Sequence, residues 1–195
     1  MANFQQRLII GKWREGFALD LQTLSSTFIG HDEFGHPRFD STRSEIGELL
    51  YKLKYSSDQS GVGEIADAAA SLVKGWQPTV EVIVPVPAST RRSMQPVIVL
   101  ANALGQRLGI PVNDCISTTR DPSPIKNVSD LDERMRLLAG LYTVAPSAVS
   151  GKRVLLFDDL YRSGATMNEI TTTLYDNGQA ADVFALTITR TRSIR

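Results

Sequence analysis

The sequence predicts an α/β fold: a mostly parallel sheet flanked by helices, with a small β-containing segment in front of it. Three observations predict it. Strand–loop–helix passages alternate from residue 80 onward, an apolar run at residues 154–157 ends in two adjacent aspartates, and proline and glycine punctuate the junctions. In chain order, residues 42–55 carry Ile46, Leu49, Leu50 and Leu53 at helical spacing, with Thr42 or Ser44 as the cap. Residues 63–73 form a second helix with Ile65, Ala68, Ala69 and Leu72 facing inward. Residues 80–84 (VEVIV) are a short strand that runs into Pro85-Val86-Pro87, where the ladder must break. Pro96 opens a helix at the first-turn position proline favours; Leu100, Ala101, Leu104 and Leu108 give it one apolar face, and Gly109 stops it. Residues 110–116 read as a short strand with Pro111 near its start. Residues 154–157 are the next strand, 166–176 the next helix, ended by Asn177-Gly178, and 183–188 (VFALTI) the last strand.

The first 40 residues read differently. Phe17, Leu19 and Leu21 alternate with Ala18, Asp20 and Gln22, and Gly30 and Gly35 bracket a turn between two strands. The expected division is an N-terminal appendage over residues 1–40 and the α/β domain over 41–195. Net charge is zero, with 21 basic and 21 acidic residues, which argues against a broad nucleic-acid-binding face. The basic tail Arg190, Arg192, Arg195 is short and reads as a solvated terminus. The single cysteine, Cys115, allows no disulfide within the chain, and His31 and His36 have no thiol near them to make a zinc site. With no membrane-length apolar run and too short an apolar core for a secretory signal, the expected location is the cytoplasm.

Residues 154–166, VLLFDDLYRSGAT, carry the chemistry. The apolar run is a buried strand, and Asp158 and Asp159 stand at its C-terminal end, where open α/β sheets bind ligands. Ser163, Gly164, Ala165 and Thr166 supply a small-residue turn whose amides, backed by the next helix, suit an anion. Diol acceptors beside a phosphate cradle describe a site for a phosphorylated sugar. A Walker loop is excluded because no Gly-Lys-Ser/Thr follows the strand, and a dinucleotide fold is disfavoured because no Gly-x-Gly-x-x-Gly follows a first strand.

This run resembles the phosphoribosyl pyrophosphate (PRPP) motif of type I phosphoribosyltransferases. The order of features from about residue 46 to 190 is similar to the ComF family of phosphoribosyltransferase-like proteins, which are associated with competence for DNA uptake in some bacteria. The matching pieces are Leu53-Lys54-Tyr55, Pro85-Val86-Pro87 followed by Arg91-Arg92, and Glu133-Arg134 closing a long polar loop. Two departures stand out: the four-cysteine zinc ribbon of many members is missing, and Ser93-Met94-Gln95-Pro96 replaces their usual Arg-Gly-Phe-Asn.

The resemblance implies a type I phosphoribosyltransferase-like fold and a Mg²⁺-dependent transfer of 5-phosphoribosyl from PRPP to a nitrogen acceptor, with release of pyrophosphate. Asp158 and Asp159 would take the ribose hydroxyls and favour the cationic transition state, so they are the catalytic candidates. Ser163, Gly164, Ala165 and Thr166 would hold the 5′-phosphate, with Arg162 either adding a contact or standing as an exposed loop arginine. Ala88, Ser89, Thr90, Arg91 and Arg92 match the pyrophosphate loop, against the plainer reading of arginines on a surface turn. Residues 118–131 match a flexible lid with Arg120, Lys126 and Arg134 as its cations, against an ordinary loop. Mg²⁺ would be held mainly by PRPP and water, with no protein metal site. The family's acceptor-selecting hood would fall to the first 40 residues, where Phe34, His36 and Phe39 either stack on a base or form a small hood core. A homodimer is expected by resemblance, with Val97, Ile98 and Val99 as a hint that two sides of their helix are covered. The competing function is a PRPP-binding regulator or DNA-uptake component that has lost turnover.

Overall fold

The computed structural model describes residues 2–88, 94–122, 125, 128 and 130–192. Its elements run β1 (Arg7–Leu8), β2 (Glu15–Leu21), β3 (Thr23–His31), β4 (Pro37–Arg43), α1 (Glu45–Ser56), α2 (Val62–Trp76), β5 (Val82–Pro85), α3 (Pro96–Leu108), β6 (Ile116–Thr118), α4 (Leu131–Leu138), β7 (Tyr142–Val144), α5 (Pro146–Val149), β8 (Arg153–Tyr161), α6 (Ala165–Asp176) and β9 (Asp182–Arg190). The central sheet has the order β1-β2-β9-β8-β5, parallel throughout except for the short edge strand β1.

The strands are apolar on both faces because both faces are covered. Leu155 and Phe157 of β8, with Phe184, Leu186 and Ile188 of β9, pack against α1, α2 and α3. Val154 and Leu156, with Val183 and Ala185, pack against Met167, Ile170 and Leu174 of α6. This alternation along β8 is the period of a pleated strand, and it continues into the polar residues beyond Phe157. Beside β5, the backbone at Val112 makes one parallel bridge to Ile83. The chain therefore leaves β5 toward one side through α3, while β8 lies on the other side, and the order of the sheet reverses at β5 and β8. That reversal opens a crevice at the strands' C-terminal ends.

Several helices match their sequence patterns closely. Pro96 opens α3, and Gly109 ends it in the left-handed region at φ 68°. Ser44 caps α1: its hydroxyl accepts from the Gly47 amide at 2.9 Å and donates to the Leu21 carbonyl at 2.6 Å. Val97 is buried within the chain's own core, and Ile98 and Val99 are half-buried.

Other expectations change. Residues 110–116 are not a strand: Pro111 removes a donor, Asn113 and Asp114 favour turns, and β6 begins only at Ile116, pairing with β7 in a separate ribbon. The first 40 residues divide. β2 joins the central sheet beside β9, because Leu19 packs toward α1 and Ala18 toward the opposite layer. β3 and β4 form a free two-stranded ribbon with the expected turn at Gly35. The elements α4, α5 and β7 had no strong periodic signal.

Ser44 ties the end of β2 to the start of α1 at the root of that ribbon. Replacing it with alanine removes a buried cap and strands a carbonyl. The expected loss is about 1–2 kcal/mol, or roughly 2–8 °C in melting temperature for a chain of this size. Thermal denaturation of Ser44→Ala checks it, and an unchanged melting temperature refutes the coupling.

Candidate functional site

A cavity of about 320 Å³ opens at the C-terminal ends of β5 and β8. Val86, Pro87 and Ala88 border it after β5, Asp158 to Met167 border it after β8, Lys54 and Tyr55 reach it from α1, and Arg134 and Tyr142 close another side. The structure thus brings Asp158, Asp159, Arg162, Ser163, Gly164, Ala165, Thr166, Ala88 and Arg134 to one place. Arg120 lies away from it: its guanidinium donates to the carbonyls of Leu137 (2.8 Å) and Ala139 (3.1 Å), capping the end of α4. Ser89, Thr90, Arg91, Arg92 and Lys126 lie outside the described residues. The described part of residues 118–131 is not wholly polar, since Ile125 is buried against Leu138, Leu141 and Ala165 at the cavity's edge.

The turn before α6 owes its shape to one residue. Gly164 has φ 76°, and a Cβ there would lie 2.8 Å from the ring of Tyr161. Only glycine meets both demands. Tyr161 is fixed in turn by its hydroxyl, which donates to the Ile10 carbonyl at 3.0 Å, and by an edge contact with Trp13. The loop between β1 and β2 also reaches α6, where the Lys12 amide donates to Asn168 Oδ1 at 2.7 Å. Unlike α1 and α4, capped by Ser44 and Asp130, α6 has Gly164 at its cap position and so no cap side chain; the Ala165 amide makes only a long contact, 3.5 Å, to Ser163 Oγ. Its first amides therefore stand at the cavity wall, where an anion would be favoured.

The two acids are consecutive on an extended strand, so they point to opposite faces of the sheet. Asp159 meets α1, and Lys54 Nζ lies 2.9 Å from its Oδ1, with both side chains largely covered (17% and 14% exposed). Asp158 turns toward Tyr142 and the start of α6. Its Oδ1 accepts from the Asp159 amide at 2.8 Å, and among the described residues no basic group pairs with it. Burial, and then the negative charge of Asp159, push the Asp158 carboxyl up to about 8. Opposite it in the ladder stands Thr187, whose buried hydroxyl has no partner among the described residues. Tyr142, hydrogen-bonded to Thr166, is pushed up to about 12, chiefly by burial.

Sequence reasoning missed Tyr142, which carries no motif, and gave Lys54 only as part of a family run. Among the described residues, no cluster of three or more histidine, cysteine or acidic side chains could hold a metal ion. No described helix is long and apolar enough to cross a membrane.

The raised carboxyl of Asp158 sets a pH dependence. The folded chain holds that proton more tightly than the unfolded chain, so stability falls as pH rises from the ordinary carboxylate range toward about 8, and is level above it. Asp158→Asn keeps the acceptor and removes the charge. It should raise the melting temperature at pH 8 by about 2–6 °C, with the gain shrinking toward zero near pH 4. A variant no more stable than wild type at pH 8 refutes this.

No protein-family model matches this sequence, and no curated protein matches it. Solved structures do. Glutamine PRPP amidotransferase from B. subtilis, complexed with ADP and GMP, matches at 19% identity and a TM-score of 0.50, over 80% of this chain and 34% of that one. The allosteric regulatory enzyme of purine biosynthesis matches at 18% identity and 0.49, also over 34% of its length. Adenine phosphoribosyltransferase from Trypanosoma brucei, in complex with AMP, pyrophosphate and ribose-5-phosphate, matches at 14% identity and 0.49, over 94% of this chain and 74% of that one. This chain thus spans about a third of the length of the first two. The likeness to the PRPP amidotransferase structure establishes the fold alone, a mostly parallel α/β sheet flanked by helices.

Proposed function

We propose that this chain binds PRPP and transfers its 5-phosphoribosyl group to a nitrogen acceptor, releasing pyrophosphate. The observation that carries the proposal is the convergence, in one cavity at the sheet's reversal point, of two strand-end acids and the start of α6 behind a glycine-dependent turn. The fold it shares with glutamine PRPP amidotransferase supports it. Membership in the ComF family, a homodimeric state and a cytoplasmic location belong to the same proposal.

In this reading the turn at Ser163, Gly164, Ala165 and Thr166 holds the 5′-phosphate through backbone amides and two hydroxyls, with Arg162 beside it. Asp158 and Asp159 accept from the ribose hydroxyls, and their field favours the positive charge that grows at C1′ as the pyrophosphate bond breaks. Arg134, which lines the cavity, would meet the leaving pyrophosphate; Ser89, Thr90, Arg91 and Arg92, outside the described residues, join this reading by resemblance alone. Mg²⁺ would be held mainly by PRPP and water, and would neutralise the charge of the leaving pyrophosphate. The β3–β4 ribbon, which rises from the sheet edge where β2 ends, is the proposed hood.

Incubation with PRPP and Mg²⁺ should raise the melting temperature by about 5–10 °C at a hundredfold excess over Kd. Asp158→Asn combined with Asp159→Asn should abolish most of that shift while the protein stays folded. Pyrophosphate release on a panel of nucleobases and amines then decides between functions. Release that depends on an acceptor supports the transferase, and binding without release supports a PRPP-responsive regulator. A full shift in the double variant removes the acids from the site.

A further inference from the structure

The two acids of the cavity have unequal surroundings, and the difference is made by one lysine outside the motif. Lys54 stands in the last turn of α1, where a cation is favoured by the helix dipole. Leu53 before it is buried in the core and Tyr55 after it lies at the cavity, so the helix has little freedom to turn Lys54 elsewhere. The ammonium reaches Asp159 across the strand end at 2.9 Å, with both partners mostly covered. A covered ion pair is a poor source of stability, because desolvation offsets much of the attraction. Its removal by halves is costly, however, because one charge is then left alone.

The titratable groups around Asp158 are Asp159 and Lys54, across the strand end from it, and Tyr142 of β7 on its own face. Arg134 of α4 and Glu169 of α6 lie around that tyrosine. Asp158 thus has a tyrosine where Asp159 has a cation.

We infer that Lys54 is a positioning residue of the cavity: by clamping Asp159 across the strand end it holds that carboxylate in the orientation a bound ligand meets. The inference rests on reading the pair as a sugar-diol site. An Asp159 carboxylate held in one place meets the diol without first having to be ordered. Lys54 acts on the ligand through Asp159, so its effect should be the same for any ligand bearing the diol, whether or not it carries pyrophosphate.

The test uses Lys54→Met and Lys54→Arg in the full chain. Without ligand, both variants should stay folded, with the melting temperature of Lys54→Arg close to that of wild type. With ligand at pH 7.5, Lys54→Met should bind PRPP and ribose 5-phosphate more weakly by a similar factor of about ten or more, and Lys54→Arg should restore both. A loss confined to PRPP would make Lys54 a pyrophosphate ligand and overturn the assignment, as would Lys54→Met binding both ligands as tightly as wild type. Wild-type protein that binds neither ligand would instead overturn the diol reading itself, a result separable from any difference between the variants. Should Lys54→Met fail to fold, Lys54→Gln carries the same measurements.

Discussion

Consecutive residues of an extended strand point to opposite faces of its sheet, so a strand that ends in two acids must accommodate negative charge on both sides at once. β8 does this after four core residues that also alternate, Val154 and Leu156 toward α6, Leu155 and Phe157 toward α1 to α3. The elements around the cavity follow from that geometry. α1 must end where its lysine meets Asp159. β7 must bring a neutral hydroxyl-bearing ring, Tyr142, to the other face. The turn before α6 must then come close enough for its amides to border the same space, which requires glycine against the Tyr161 ring.

The arrangement sets stability against use. Asp158 sits where burial and a like charge both disfavour ionisation, with no cation paired to it among the described residues, and its ladder neighbour Thr187 keeps an unpartnered buried hydroxyl. A structure selected only for stability would place an apolar residue at 158. Unmet polar groups gathered at one end of an otherwise apolar strand are the physical mark of a surface meant to be completed by something else.

The parts of this chain that were legible in its sequence are those set by local rules. Pro96 and Gly109 bound α3, Ser44 caps α1, and an apolar run ending in Asp-Asp and a small-residue turn mark the strand, loop and helix of the cavity. What escaped depended on distant packing. Tyr142 sits on a three-residue strand whose partner is β6, and nothing in Leu-Tyr-Thr-Val announces that pairing. Residues 110–116 look apolar enough for a strand, yet Pro111 and the turn formers after it allow only the bridge at Val112. Arg120 reads as a free cation in a polar loop, but the carbonyl ends of α4, a helix without a strong apolar stripe, claim it. β2 reads as a half-exposed strand until β9 supplies a parallel partner from the far end of the sequence.

The ribbon of β3 and β4 has a bearing on how the protein behaves in crowded solution. It has two strands, so both outer edges carry backbone groups with no neighbouring strand in the sheet, and Phe28, Ile29 and Phe39 are exposed along it. Long, flat edges of that kind recruit further strands and seed aggregation. Here the ladder is interrupted twice, between Thr23 and Ser25 and between Phe28 and Gly30, and Arg38, Asp40 and Arg43 put charges along one strand. Irregular pairing twists and shortens any surface on which another chain could extend the sheet. The same apolar rings that make the ribbon sticky are thus carried on a backbone ill-suited to templating, which favours side-chain contacts over strand addition and keeps the molecule from polymerising through its most exposed element.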